Sequence, residues 1–351
     1  MADAFDYELL VELTETSGVP GYESRVRELV RAELEPVVDR LRSDPMGNLV
    51  GTVENGADYD VVVAAHADEI GFMVKHIYDD GFLELDALGG WDPRILRAQR
   101  VTVHTDDGED VPGVIGSVPP HTLTDEQREA EPKVEDVRVD LGLDAEAVGE
   151  QVAVGDLVTM AGRTERVGEF VSGKSLDNRV SVLAMIEAAR RLETPGVNVH
   201  FAATTQEEVG LRGAATLGVD LDPDLVIALD TTVANDVTGF DAGKQVTRLG
   251  DGAAIKLKDS SVITNPKLHR RLRAVAETRD IEHQLEVLPA GGTDTGSLQR
   301  AGGATPAGAI SVPTRYLHTP TECVHEADLE AVIDLLVAAL ETEDGTHDYT
   351  L

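Results

Sequence analysis

Five consecutive apolar residues, Val61-Val62-Val63-Ala64-Ala65, leave no polar face for water and so describe a strand covered on both sides. Such a strand belongs in a sheet with helices over each face. Two helical periodicities precede it, one around Leu9, Leu10 and Leu13, the other through Val26, Leu29, Val30 and Leu34 with Ser24 as a candidate cap. Residues 17–22 read as the loop between them. From about Gly71 the texture changes. Residues 72–78 and 82–88 flank Asp79-Asp80-Gly81, and residues 101–105 lead through Asp106-Asp107-Gly108 to residues 111–115. Short strands joined by Asp-Gly turns predict antiparallel hairpins. Residues 121–136, polar and charged, predict a mobile loop in this section, and residues 152–160 close it. The long period then returns. Residues 175–192 predict a helix apolar nearly all round, residues 197–205 and 225–229 predict strands, and a last helix carries Leu329, Val332, Ile333, Leu336 and Leu340 on one face. The expected architecture is an α/β domain of residues 1–70 and 163–351, with a mostly parallel mixed sheet flanked by helices. A small β-rich domain at residues 71–162 interrupts it.

Charge narrows the partners. Acidic residues number 65 and basic residues 30, a formal balance of −35 spread along the whole chain. Such a surface repels phosphate backbones and anionic lipid, which argues against nucleic-acid and membrane partners. Its self-repulsion is screened at high ionic strength, so the composition suits molar salt and resembles that of halophilic archaeal proteins. A hydrophobic content of 42% is ample for a core. No apolar run approaches the ~20 residues that span a bilayer, and residues 1–6 are acidic, unlike a signal peptide. The single cysteine, Cys323, fits a reducing, cytoplasmic interior.

The chemistry stands just beyond the apolar runs. His66-Ala67-Asp68 follows residues 61–65, Gln206-Glu207-Glu208 follows residues 199–205, and Asp230 follows residues 225–229. Asp177 stands at the mouth of the buried helix. Open α/β sheets bind ligands at the carboxyl ends of their strands, so these groups are expected in one crevice. Imidazole and carboxylate together suit Zn, Co or Mn, and two ions need a shared carboxylate. Asp177 can bridge. His66 with Glu208 or Asp230 completes one site and a distal histidine the other, His318 being the best candidate because it follows the strand-like residues 309–312, with His325 as its competitor. Asp68 is placed to orient His66. The adjacent Glu207 and Glu208 allow one carboxylate on metal and one free as a proton shuttle.

These segments carry a resemblance. Residues 65–71 (AHADEIG), 175–179 (SLDNR), 205–210 (TQEEVG) and 313–318 (PTRYLH) are similar, in order and spacing, to the M42 metallopeptidases, the TET, glutamyl and deblocking aminopeptidases. The resemblance spans nearly the whole chain. It implies a zinc-peptidase-like fold, a PDZ-like dimerisation insert and removal of N-terminal residues from peptides. It implies two divalent ions held by His66, Asp177, Glu208, Asp230 and His318, with Asp177 bridging, Glu207 as general base and Asp68 as partner of His66. It also implies a homo-oligomer built from dimers, a dodecamer in many relatives. Asn178 stands where relatives often have a second aspartate. Residues 291–296 (GGTDTG) resemble a loop beside the substrate, making Gly291, Gly292 and Thr293 candidate substrate contacts; two glycines let backbone approach a ligand.

Other readings compete. Taken singly, His66 is a core histidine, Glu207-Glu208 a solvated acidic turn, Asp177 a helix-terminus carboxylate and Asp230 a turn residue. Residues 168–175 (GEFVSGKS) fit the expression of a phosphate-binding loop and make a P-loop NTPase the enzymatic alternative. Its Glu169 would repel a nucleotide, and Phe170 and Val171 offer no cradle. A glycosidase needs carboxylates on opposite sides of a bond, which sequence neighbours cannot supply. An inactive assembly protein is the remaining alternative, and the intact acid and histidine set argues against it.

Overall fold

The computed structural model describes residues 5–351; Met1 to Ala4 of the acidic N-terminal stretch lie outside the described residues. Strands β1 (Arg40–Ser43), β2 (Leu49–Val53) and β3 (Asp60–His66) open one sheet. Six strands of a closed barrel follow: β4 (Gly71–Ile77), β5 (Leu83–Leu88), β6 (Gln99–His104), β7 (Asp110–Ile115), β8 (Arg138–Asp140) and β9 (Leu157–Met160). The first sheet then resumes with β10 (Glu165–Val167), β11 (Phe170–Gly173), β12 (Asn198–Thr204), β13 (Leu225–Val233), β14 (Ala253–Lys258), β15 (His283–Val287), β16 (Ala307–Arg315) and β17 (Glu322–His325). Its order is β1-β2-β12-β3-β13-β16-β17-β11-β10, with β14 on β16 and β15 on β14.

The central run β12-β3-β13-β16 is parallel, but both flanks are antiparallel. The sheet is therefore mixed rather than mostly parallel: β1–β2, β10–β11 and β16–β17 turn straight back on themselves, and β2–β12, β11–β17 and β14–β16 bring distant segments together antiparallel. Strand β3 explains its own composition. Val61, Val63 and Ala65 pack into the core under the helix Leu176–Arg191, while Val62 and Ala64 pack against Ala214, Leu217 and Leu298 on the other face. Both faces are covered, so no position could be polar. The helix Leu176–Arg191 is itself enclosed by helices Tyr7–Glu15, Ser24–Leu34 and Glu326–Glu341. The barrel has a separate core of Phe72, Leu85, Val103, Val139 and Val158.

Two local expectations are corrected. Ser24 begins its helix without capping it; Glu23 precedes the helix and its carboxylate accepts instead from the Gly21 and Gln206 amides. Residues 121–136 are not featureless, since Thr124 closes a reciprocal capping box over the short helix Asp125–Glu129. Among the described residues no helix is long and apolar enough to cross a membrane.

Candidate metal centre

Register places three chain segments in one row. Thr204 of β12 pairs with His66 of β3, and β13 runs parallel on the other side with Asp230 beyond the last paired residue, Ala228. The carboxyl ends of these strands face a second group of irregular segments. Ser175 has a left-handed φ of 56°, and Asp177 and Asn178 depart from helical geometry, so the first turn of the helix Leu176–Arg191 opens and Asp177 leaves the helical ladder. Tyr316 and His318, after β16, also have positive φ, 60° and 59°. Gln206, at φ 54°, turns Glu207 and Glu208 away from β12. Side chains from five places in the chain thus meet where regular structure stops.

The distances define two overlapping groups. His66 Nε2 lies 3.3 Å from Asp177 Oδ1 and 3.6 Å from Asp230 Oδ1. His318 Nε2 lies 3.4 Å from Asp177 Oδ2 and 3.5 Å from Glu208 Oε1. His66, Asp177 and Asp230 form one set whose donor atoms all fall within 4.8 Å of one another, and Asp177, Glu208 and His318 form another. Asp177 belongs to both, one oxygen toward each histidine. Glu207 belongs to neither. A third such set, Glu343, Asp344 and His347, lies near the chain's end, where Glu343 already accepts from Tyr349 and Gly345.

Each imidazole is oriented by its other nitrogen. His318 Nδ1 lies 2.8 Å from the Gly90 carbonyl, and His66 Nδ1 lies 3.2 Å from the Asp68 carbonyl. Both arrangements favour a proton on Nδ1 and a free lone pair on Nε2, facing the carboxylates. The Asp68 carboxylate serves two neighbours. Its Oδ1 accepts from the Glu207 amide at 3.0 Å and its Oδ2 from the Glu208 amide at 3.1 Å, with the nearer oxygen 3.6 Å from His66 Nδ1.

The electrostatics are those of a cation site. Burial, then the charge of Asp177, pushes Glu208 up to about 8. Burial, with Asp230, Asp294 and Glu208 adding to it against His66, raises Glu207 well above the usual carboxylate range. Burial opposes protonation of His318, but Asp177 and Glu208 outweigh it and lift the imidazole to about 10. Asp177 Oδ1 is buried and accepts no hydrogen bond. A buried crowd of carboxylates with two imidazoles turned inward and an orphaned oxygen is what divalent cations would neutralise. Nitrogen and oxygen donors suit first-row transition ions, so the residues present fit such ions.

The remaining candidates are placed as follows. Gly291 (φ 91°) and Gly292 are exposed at the start of a loop whose Thr293 is buried against Thr295. The loop is tied to the end of β12 because Thr204 donates to the Asp294 carboxylate. Asp294 was legible only as part of a motif. It is buried, raised to about 7 chiefly by that burial, and keeps Oδ1 without a partner. Glu322 had no signal at all in the sequence; its carboxylate accepts from the Asp177 amide at 2.9 Å and the His318 amide at 2.8 Å. Residues 168–175 do not form a phosphate cradle. Gly168 and Glu169 turn the β10–β11 hairpin, and Lys174 is buried 2.6 Å from Glu69, which also accepts from Ser175.

Comparison with known proteins shows the family. The model of the M42 glutamyl aminopeptidase family matches residues 47–335. The lysyl aminopeptidase of Pyrococcus furiosus is 36% identical over 345 residues, covering 96% of this chain and 97% of the relative. The solved structure of the aminopeptidase APDkam598 from the archaeon Desulfurococcus kamchatkensis superposes with a TM-score of 0.92 at 37% identity, covering 96% of this chain and 94% of that one. The TET1 peptidase of Pyrococcus horikoshii, described as assembling into a tetrahedron or a large octahedral shell, superposes with a TM-score of 0.86 at 34% identity, covering 96% of this chain and 99% of that one. With family and relatives matched along nearly its full length, the chain belongs to the M42 aminopeptidase family and is a peptide-bond hydrolase.

Proposed function

We propose that the protein is a two-metal aminopeptidase that releases single residues from peptide N-termini, and that Glu207 moves the proton. His66, Asp177 and Asp230 would hold one divalent ion, and Asp177, Glu208 and His318 the other, with Zn, Co or Mn as candidates. When bound, such a pair acidifies a water and polarises the scissile carbonyl. Glu207, next to the ligand Glu208 yet outside both donor sets, is free to take a proton from the attacking water. Water oxygen bonds to the carbonyl carbon, the carbon–nitrogen bond breaks, and Glu207 passes the proton to the departing amine. Asp68 fixes the Glu207 and Glu208 backbone, and residues 291–293 would flank the peptide end.

The observation that carries the reading is the single carboxylate shared by two histidine-containing donor sets. Residues 1–70 and 163–351 would form the catalytic domain, with residues 71–162 as a PDZ-like dimerisation insert. The dodecamer and the shells described for TET1 peptidase structures support a homo-oligomer here, a dodecamer built from dimers being one form. The acidic surface suits a cytoplasm rich in salt. The test is Glu207→Gln assayed on aminoacyl chromogenic substrates beside metal analysis. Activity should fall by about 10²–10⁴-fold, the usual worth of a positioned acid–base group, at unchanged metal content. Full activity in Glu207→Gln would refute the role.

A further inference from the structure

Both tethered amides of the second donor set end on one side chain. Glu322 is the first residue of β17, is 2% exposed, and pairs across the sheet with Gly173 of β11. It therefore stands between the segment leading to Asp177 and the turn that carries His318. Its Oε2 takes the Asp177 amide at 2.9 Å and its Oε1 the His318 amide at 2.8 Å. Neither amide sits in regular structure: Asp177 has left the helical ladder and His318 has a left-handed backbone. Amides drawn out of regular structure and away from water need an acceptor, and among the described residues Glu322 supplies it for both.

We propose that Glu322 is a positioning residue that sets the separation of Asp177 and His318, and so the affinity of the second metal site and the placement of the shared carboxylate. Both its oxygens are taken by backbone amides, and it belongs to neither donor set. The inference rests on the two-metal reading above. The arrangement parallels Asp68, whose two oxygens hold the amides of Glu207 and Glu208 in the same way. Two buried carboxylates thus fix the backbone of four residues at the site, one pair each. A glutamate is needed because both amides demand an acceptor. Glutamine at this position turns one acceptor into a donor facing an N–H, losing one tether and repelling the group it held.

The experiment titrates Mn²⁺ into chelator-treated wild type and Glu322→Gln, follows binding calorimetrically, and measures kcat and KM at several Mn²⁺ concentrations. Wild type should bind two ions. In Glu322→Gln the weaker step should lose about 10–100-fold in affinity, the usual cost of removing a partner that orients ligands. At limiting Mn²⁺ kcat should fall with KM nearly constant, and excess Mn²⁺ should restore much of it. Asp328→Asn is the control for a purely structural effect. That carboxylate is also buried and accepts two amides, Gly250 and Gly252, each at 2.8 Å, away from the donor sets. It should lower the unfolding temperature and leave the isotherm alone. A Glu322→Gln protein that merely unfolds earlier, with a wild-type isotherm and kcat, overturns the proposal. Where Glu322→Gln does not fold, Glu322→Asp replaces it: the shorter side chain cannot reach both amides, so an unchanged second step in that variant is equally fatal. Wild type that binds no ion pair, or an active Glu207→Gln, sinks the underlying reading instead, which separates the two failures.

Discussion

Replacing Asp68 with asparagine separates its two neighbours, His66 and the Glu207-Glu208 pair. The imidazole leans on the Asp68 backbone carbonyl at 3.2 Å, which the substitution leaves in place. The side chain holds the Glu207 and Glu208 amides at 3.0 and 3.1 Å. Asparagine keeps one acceptor and turns an amide group toward the other N–H. One charge-assisted bond is lost, worth about 2 kcal/mol of stability. The larger effect falls on rate. With one tether gone, Glu207 is free to shift, and a displacement of about 1 Å in a reacting group costs on the order of 10²-fold. That equals about 2.7 kcal/mol in the barrier. Asp68 is in neither donor set and approaches only the outward nitrogen of His66, so KM and metal content should change little. The assay is steady-state hydrolysis of an aminoacyl chromogenic substrate, with metal analysis of the same preparation. A kcat within twofold of wild type would refute the tether. Loss of metal with kcat per bound ion intact would refute it differently, showing that the carboxylate acts through His66.

Two further predictions concern the frame. Arg315 meets Asp236 with two bonds of 2.8 and 2.7 Å just before the His318 turn, and although burial pushes the Asp236 carboxyl up, the guanidinium outweighs it and holds it below 3.8. A lowered value in the fold means stabilisation fully present above pH 3.8 and lost as the pH falls through the folded value. Arg315→Met should therefore be less stable than wild type by about 2 kcal/mol near neutrality, read from urea midpoints. The gap should narrow in acid; a gap that widens there contradicts the pairing. The formal charge of −35 should make unfolding temperature rise steeply from dilute buffer to molar salt, and a flat profile would contradict a surface built for salt.

How much of this was legible follows from where the information lies. The run Val61–Ala65 announced a doubly covered strand because burial on both faces forbids polar positions, and its end marked the crevice. The barrel hairpins were visible through Asp79-Asp80-Gly81 and Asp106-Asp107-Gly108, since turn chemistry is local. The antiparallel flanks were not, because which edge a hairpin joins depends on packing among distant segments. The same holds at the site. His66, Asp177, Glu208, Asp230 and His318 were singled out by residue type and motif, and the fold brings their side chains together. Asp68 was assigned to His66 by its place two residues on and by the family motif; its carboxylate lies 3.6 Å from that imidazole and also reaches the Glu207 and Glu208 amides more than a hundred positions away, which no local pattern could show. Glu322 was missed because a carboxylate that accepts backbone amides leaves no pattern in the residues it serves. The resemblance of residues 168–175 to a phosphate loop failed for the same reason: Lys174 is claimed by Glu69, far upstream.

Counting ions per subunit in alanine variants of the donor residues probes the shared carboxylate most directly. Inductively coupled plasma analysis of wild type after equilibrium dialysis should return two divalent ions. His66→Ala and His318→Ala should each keep one, and Asp177→Ala, contributing to both sets, should keep neither. If Asp177→Ala retains both ions, or wild type binds none, the two donor sets do not meet at that aspartate as described.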